Sequence, residues 1–258
     1  MAQKGSASQT NRAERLSHGY IYYFDGAGGG GAVMNWGSGL KKGLVDAGYD
    51  GAGEIFPWNT GEGVVADQDS SVEYKRSKAG EAAREIQEYA KKYPGQPIHL
   101  IGLSAGTAVT VFVLEALPPS FQVDTVVLCG ASISSDYDLT KALQRVRDRL
   151  YVFTSDKDAV LGFLVPFAGT ADRQAGSDPS AGLHGFHMPA GAGPQTRTLY
   201  SKVVNIAWRK EFEKDGDYGG HTDAVNAKFV EHHIAPLILK DGPHHVQAGR
   251  PIARPAAP

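Results

Sequence analysis

The sequence predicts an α/β fold: a three-layer α/β/α sandwich around a mostly parallel central sheet of about six strands. Three observations predict it. Short β-rich runs alternate with longer helical patterns from residue 20 onward, the rhythm of strand–helix–strand crossovers. Pro97–Ile101 and Val123–Cys129 are continuously apolar rather than alternating, as in strands covered by helices on both faces. The chain has 258 residues, 41% hydrophobic and 21% charged, enough for one domain with a substantial core.

Residues 1–18 are polar and read as a flexible N-terminal arm, followed by a domain over 19–240 and a disordered, proline-rich tail over 241–258. Tyr20–Phe24 is the first strand, running into the glycine-rich stretch Asp25–Gly31. Trp36, Leu40 and Leu44 repeat at helical spacing, and Gly48 stops that helix. Glu54–Trp58 reads as a short strand. Ser70 and Glu73 have the spacing of a capping box and open a helix that runs to Tyr93 before Pro94-Gly95. The apolar run Thr107–Leu117 is a buried helix. Ser135–Leu150 carries Leu139, Ala142, Leu143 and Val146 at helical spacing, and Leu150–Thr154 is the next strand. Residues 161–197 are rich in Gly, Pro and Ala and form the longest irregular insertion. Val203–Trp208 is the last strand, and Thr222–Leu239 the last helix.

Several function classes are disfavoured by the totals. A net charge of −2 offers no basic field for nucleic acid. No stretch is long and apolar enough to span a membrane. The single cysteine, Cys129, excludes an intrachain disulfide. Residues 1–18 lack an apolar signal core, so the chain as written reads as soluble and cytoplasmic, or as secreted if a signal was removed.

The chemistry concentrates between Pro97–Ile101 and Thr107–Leu117, where Gly102-x-Ser104-x-Gly106 forces a sharp strand-to-helix turn. Glycines two residues either side of the serine remove side chains that would collide there. The hydroxyl of Ser104 is thereby lifted above the sheet as a nucleophile. This turn resembles the nucleophile elbow of the α/β-hydrolase family. The resemblance covers roughly residues 19–239 and points to its compact, cutinase-like or small-esterase members. Unlike cutinases, this chain has no disulfides. The interval from Cys129 to Leu150 leaves no room for the helical lid many members insert there, so a fold without a large cap domain is implied.

By that resemblance the acid follows a strand and the base comes last. In Ser155–Val160 the acid is Asp158, with Asp156 and, after the preceding strand, Asp136 as alternatives. The base is His221, behind Gly219 and Gly220, with His184 and His187 as rivals. The oxyanion hole would use the amide of Ala105 and one from the glycine-rich loop, Ala27 first and Gly28 next. Many relatives begin that loop with His-Gly, whereas here it is Asp25-Gly26. Trp58, Phe163 and Phe167 are candidate substrate-binding aromatics, with rim or core packing as the alternative.

The glycine loop has a competing reading. Gly26-x-Gly28-x-x-Gly31 matches a dinucleotide fingerprint, but the acidic residue expected at a second strand end is missing, since Asp46 and Asp50 lie on a helix and its exit. The implied activity is hydrolysis of a small-molecule or polymeric carboxylic ester (carboxylesterase, lipase or polyesterase) with no cofactor and no metal. A thioesterase, another acyl hydrolase and a non-catalytic binding protein on the same fold are the alternatives.

Overall fold

A computed structural model describes residues 12–29, 37–163, 170–172 and 179–239 of the chain. In chain order the elements are β1 (Tyr20–Phe24), α1 (Gly37–Asp46), β2 (Ala52–Ile55), α2 (Val64–Asp69), α3 (Val72–Lys92), β3 (Ile98–Leu103) and α4 (Ala105–Ala116). They continue with β4 (Val126–Cys129), α5 (Thr140–Leu143), β5 (Leu150–Thr154), α6 (Ala159–Phe163), α7 (Ala181–His184), α8 (Pro194–Tyr200) and β6 (Val203–Ala207). A 3-10 turn at Lys210–Asp215 and another at Asp223–Val225 lead to α9 (Ala227–Phe229), a π turn (Val230–Ile234) and α10 (Ala235–Leu239).

The six strands form one sheet in the order β2-β1-β3-β4-β5-β6, and every neighbouring pair is parallel. Register places Phe24 beside Gly102, Leu103 beside Cys129 and Cys129 beside Phe153. The C-terminal strand ends therefore share one rim. The chain winds one way from β1 to β2 and the other way from β3 onward, so β1 and β3 flank a switch point. In open α/β sheets the crevice outside that point is where ligands bind.

Strand alternation divides the apolar side chains between two cores. Tyr20, Tyr22, Phe24, Leu100, Leu128 and Val152 pack toward α3, α4, α5 and α8. Ile21, Tyr23, Ile101, Leu103, Val127 and Phe153 pack toward α1 and the C-terminal helical segments. Cys129 lies wholly within the second core, where burial pushes its thiol well above the usual range. It behaves as a small hydrophobe.

Several elements differ from the sequence expectations. Residues 12–16 are helical and docked rather than loose: Tyr89 Oη donates to the Leu16 carbonyl (2.8 Å), and Leu16 packs on the first core. The first eleven residues and the tail from 240 lie outside the described residues. The capping residue of α3 is Ser71, whose Oγ accepts from Tyr74 N (3.0 Å). Ser70 instead donates to the Asp67 carbonyl at the end of α2. The helix expected over Ser135–Leu150 shrinks to the single turn α5. Val123 N donates to the Arg145 carbonyl and Arg147 N to the Val123 carbonyl, so Val146 forms an isolated parallel bridge to Val123 beside the lead-in to β4. The last helix is broken into turns of different pitch. Within the 161–197 insertion, Ala181 N and Gly182 N donate to the Ile133 and Ala131 carbonyls, which fixes α7 across the ends of β4 and β5.

Candidate active site

Ser104 occupies the tip of the turn between β3 and α4 with φ 52° and ψ −126°. It is the one non-glycine residue with positive φ among the described residues. A serine held in that sparsely populated region is strained, and such strain persists only where neighbours impose it. The neighbours are visible. Ser104 N donates to the Cys129 carbonyl (3.0 Å), and the Ser104 carbonyl accepts from Thr107 N (3.0 Å) and Thr107 Oγ1 (2.5 Å). A Cβ on Gly102 would lie 2.5 Å from Thr110 Oγ1 and 3.0 Å from Thr107 Cα. A Cβ on Gly106 would fall on the backbone carbonyl oxygens of Phe24 and Asp25. Both flanking glycines are thus required by contact, the second because α4 is set hard against the end of β1.

The imidazole of His221 reaches the serine from the far side of the rim. Its Nε2 lies 2.8 Å from Ser104 Oγ, and its Nδ1 lies 2.7 Å from Asp158 Oδ2. Asp158 is buried, and its other oxygen accepts from Leu161 N (3.0 Å) at the start of α6. The carboxylate is therefore fixed at both oxygens and fixes the ring in turn. Asp156 is exposed and does not join the triad. Asp136 and His187 pair with each other at 2.8 Å, both exposed, and His184 is exposed on α7. The sequence alternatives for acid and base are thus assembled elsewhere.

Two loops hold the base and the acid together. Ser155 Oγ donates to the Gly219 carbonyl (2.8 Å), Gly219 N to Asp217 Oδ1 (2.8 Å) and Gly220 N to Asp223 Oδ2 (2.9 Å). Lys157 Nζ sits 3.3 Å above the Trp208 ring, while Trp208 Nε1 donates to the Asp217 carbonyl (3.0 Å). Gly130, at the end of β4 with φ 52°, leaves room for the ring: a Cβ there would lie 2.9 Å from the His221 carbonyl oxygen and 3.2 Å from its Nδ1. Sequence reasoning missed Gly130. The signal available was a glycine directly after an apolar strand.

The glycine-rich loop lies beside Ser104, on the other side of the switch point. Asp25 is buried, and its Oδ1 accepts from Tyr23 Oη and Gly26 N, both at 2.8 Å. Burial and the adjacent carboxylate push the Tyr23 phenol well above its usual range. Gly26 O accepts from Gly29 N (2.9 Å), closing a turn around Ala27 and Gly28, and Gly28 has φ 73°. Gly28 N is given to Asp67 Oδ2 (2.7 Å). Gly28 is therefore not a free donor for substrate, contrary to expectation. Ala27 N has no protein acceptor among the described residues. Across the site, Ala105 begins α4, where the first amides of a helix have no intrahelical acceptor.

Trp58 does not line the site. It is wholly buried, and its Nε1 donates to the Asp25 carbonyl (2.8 Å), so the indole is a pillar under the loop. Phe163 closes α6, but its side chain, like the whole of Phe167, lies outside the described residues. No group of three or more His, Cys, Asp or Glu side chains among the described residues is arranged to hold a metal.

A parallel sheet with a serine elbow after β3, an acid after β5 and a histidine after β6 is the α/β-hydrolase arrangement, with no large cap among the described residues. No family model and no curated protein matches the chain. Among solved structures it is similar to a novel cutinase-like protein from Cryptococcus sp. (16% identity, TM-score 0.45, covering 86% of this chain and 94% of that one). It is also similar to RedJ, solved with a PEG molecule bound in the active site (12%, TM-score 0.38, covering 89% and 88%). A third is agmatine ureohydrolase of Thermoplasma volcanium (11%, TM-score 0.33, covering 88% and 90%). At these scores the assignment rests on the strand order and the site geometry of this chain alone.

Proposed function

We propose that this chain is a serine hydrolase that cleaves carboxylic esters through an acyl-enzyme. The observation that carries the reading is the unbroken relay from Ser104 Oγ to His221 Nε2 (2.8 Å) and from His221 Nδ1 to Asp158 Oδ2 (2.7 Å). A serine hydroxyl is a weak nucleophile until a base takes its proton. His221 accepts that proton as Ser104 Oγ bonds to the ester carbonyl carbon. Asp158 holds the ring in the tautomer that leaves Nε2 free and stabilises the imidazolium. The carbonyl electrons move onto oxygen, and the amides of Ala105 and Ala27 are assigned to that oxyanion. Its collapse expels the alcohol, which takes the proton from His221. Water, deprotonated by His221, then attacks the acyl carbon; the bond from that carbon to Ser104 Oγ breaks, Oγ takes the proton back from His221, and the acid is released.

Among the described residues no helix is long and apolar enough to cross a membrane, and the substrate proposed is a small organic ester. The test is hydrolysis of a short p-nitrophenyl ester, together with fluorophosphonate labelling mapped by mass spectrometry. Wild type should hydrolyse the ester and carry the label on Ser104, and Ser104→Ala should lose both. A folded wild type that is neither labelled nor active overturns the reading. Oxygen and thio esters of one acyl group, compared by kcat/KM, separate an esterase from a thioesterase.

A further inference from the structure

The mechanism uses an amide of the Gly26–Gly29 turn, which has a single internal bond, Gly29 N to Gly26 O, to hold its shape. A further hold lies in the loop that leads into α2. Asp67, on α2, is 1% exposed and accepts four hydrogen bonds. They come from Gly28 N (2.7 Å) and Asn59 Nδ2 (2.7 Å) to Oδ2, and from Thr60 N and Thr60 Oγ1 (2.6 Å each) to Oδ1. Asn59 Nδ2 also donates to the Gly26 carbonyl at 3.1 Å. The turn is therefore gripped at Gly26 O and Gly28 N from one side, while Asp25 takes Gly26 N from the other. Gly29 N is spent on Gly26 O. Of the four amides from Gly26 to Gly29, only that of Ala27 has no protein acceptor among the described residues.

We propose that Asp67 is a positioning residue for the oxyanion loop, occupying Gly28 N–H and fixing the turn so that Ala27 N–H is the amide presented to the reacting oxygen. The proposal deepens the hydrolase reading and rests on it for the role of Ala27. Burial opposes charge on Asp67, but the bonds from Thr60, Gly28 and Asn59 hold its carboxyl below its ordinary range. An anion is what this grip needs, since four donors converge on two oxygens and a neutral amide in its place offers one acceptor. Asp67→Asn would keep the volume, lose acceptor capacity at one position and set an NH2 against N–H donors. The turn would loosen and the Gly28 amide would be released.

The test combines kinetics with amide hydrogen exchange. In wild type the Gly28 amide should be protected and that of Ala27 should exchange quickly. In Asp67→Asn, protection at Gly28 should be lost. Removing an oxyanion donor costs about 10²- to 10³-fold in kcat, and a misplaced donor should cost about 10- to 100-fold. KM for the short p-nitrophenyl ester should stay within about threefold. Affinity for a trifluoromethyl ketone, which forms an oxyanion on Ser104, should fall in parallel with kcat. If Asp67→Asn does not fold, Asn59→Ala serves. It removes one of the four bonds and one hold on Gly26, and should move the same three readouts less far.

A folded variant with wild-type kcat and ketone affinity overturns the proposal, as does a Gly28 amide that exchanges freely in wild type. Loss of kcat and KM together, with the exchange pattern unchanged, also overturns it and marks Asp67 as structural only. Failure of the hydrolase reading would look different: an unlabelled, inactive wild type whose exchange pattern is as described.

Discussion

A single residue carries the backbone strain of this site, and the glycines around it are there because of what they touch. Gly106 is the sharper case. Its missing side chain lets α4 sit on the carbonyls of Phe24 and Asp25. Those are backbone atoms at the root of the Gly26–Gly29 turn, so relief requires moving the elbow away from that turn. Gly106→Ala should therefore cost about 1–3 kcal/mol of stability, the usual range for overpacking, and at least about tenfold in kcat through the displaced amides. Urea denaturation and steady-state kinetics on the same sample check both. A variant that is destabilised but fully active would show that the elbow moves as one body with the loop. At this scale the sequence is informative where a residue's role is fixed by its own chain neighbours. Ser104 stands directly behind β3, Asp158 shortly behind β5 and His221 after β6 beyond a 3-10 turn, in the order the resemblance implies. Asp67 had no such signal, because its partner Gly28 is distant along the chain, and Gly130 showed only its place after a strand, since what it makes room for, His221, is distant too. Trp58 misled for the same reason. An aromatic after a strand reads as a rim residue, and only the bond to the Asp25 carbonyl shows it underneath.

At the scale of elements, the strands were legible and the helices after β4 were not. A strand buried on both faces announces itself by composition alone. A helix announces itself by period, and period is a weak guide where the backbone donors have better partners. Val146 continues the apolar spacing, yet the next two amides, Arg147 N and Asp148 N, are spent on the Val123 and Asp124 carbonyls in the lead-in to β4, and Val146 bridges to Val123 instead of continuing a helix. The C-terminal helix fails differently. Its π turn carries adjacent His232 and His233, and both reach the buried carboxylate of Asp215 (2.9 and 2.8 Å). Burial opposes charge on Asp215, but the two imidazoles hold its carboxyl down from 3.8 to about 2. A depressed carboxyl contributes stability above its unfolded value and loses it as pH falls through its folded one. This clamp should therefore be fully present above about pH 4 and lost on descent toward pH 2. Urea midpoints measured across that window should fall in wild type. Asp215→Asn should start lower at pH 6 and show a flatter acid limb.

For the whole molecule, the sheet explains why such scattered residues form one site. The winding reverses between β1 and β3, the place where open α/β sheets open a crevice at the rim, and here the Gly26–Gly29 turn follows one of these strands and Ser104 the other. The acid and base arrive from β5 and β6, at the opposite end of the sheet from β2. Fold class was legible at this scale because alternation and apolar strands are global properties of the chain. The grip of α2 on the Gly26–Gly29 turn was not, since it depends on which loops the topology brings side by side.

One consequence follows from the place of β6. Among the described residues it is the outermost ribbon on its side, hydrogen-bonded as a strand to β5 alone, and its residues are half-buried or exposed where those of β3 and β4 are wholly buried. His221 is carried on the chain that leaves it. Such edges fray at lower free energy than interiors. Warming should therefore withdraw the imidazole while most of the molecule is still folded. Ester hydrolysis should fade several degrees below the midpoint of the global calorimetric transition and return on cooling, whereas coincident loss of both would mean that the border of the sheet melts with its centre.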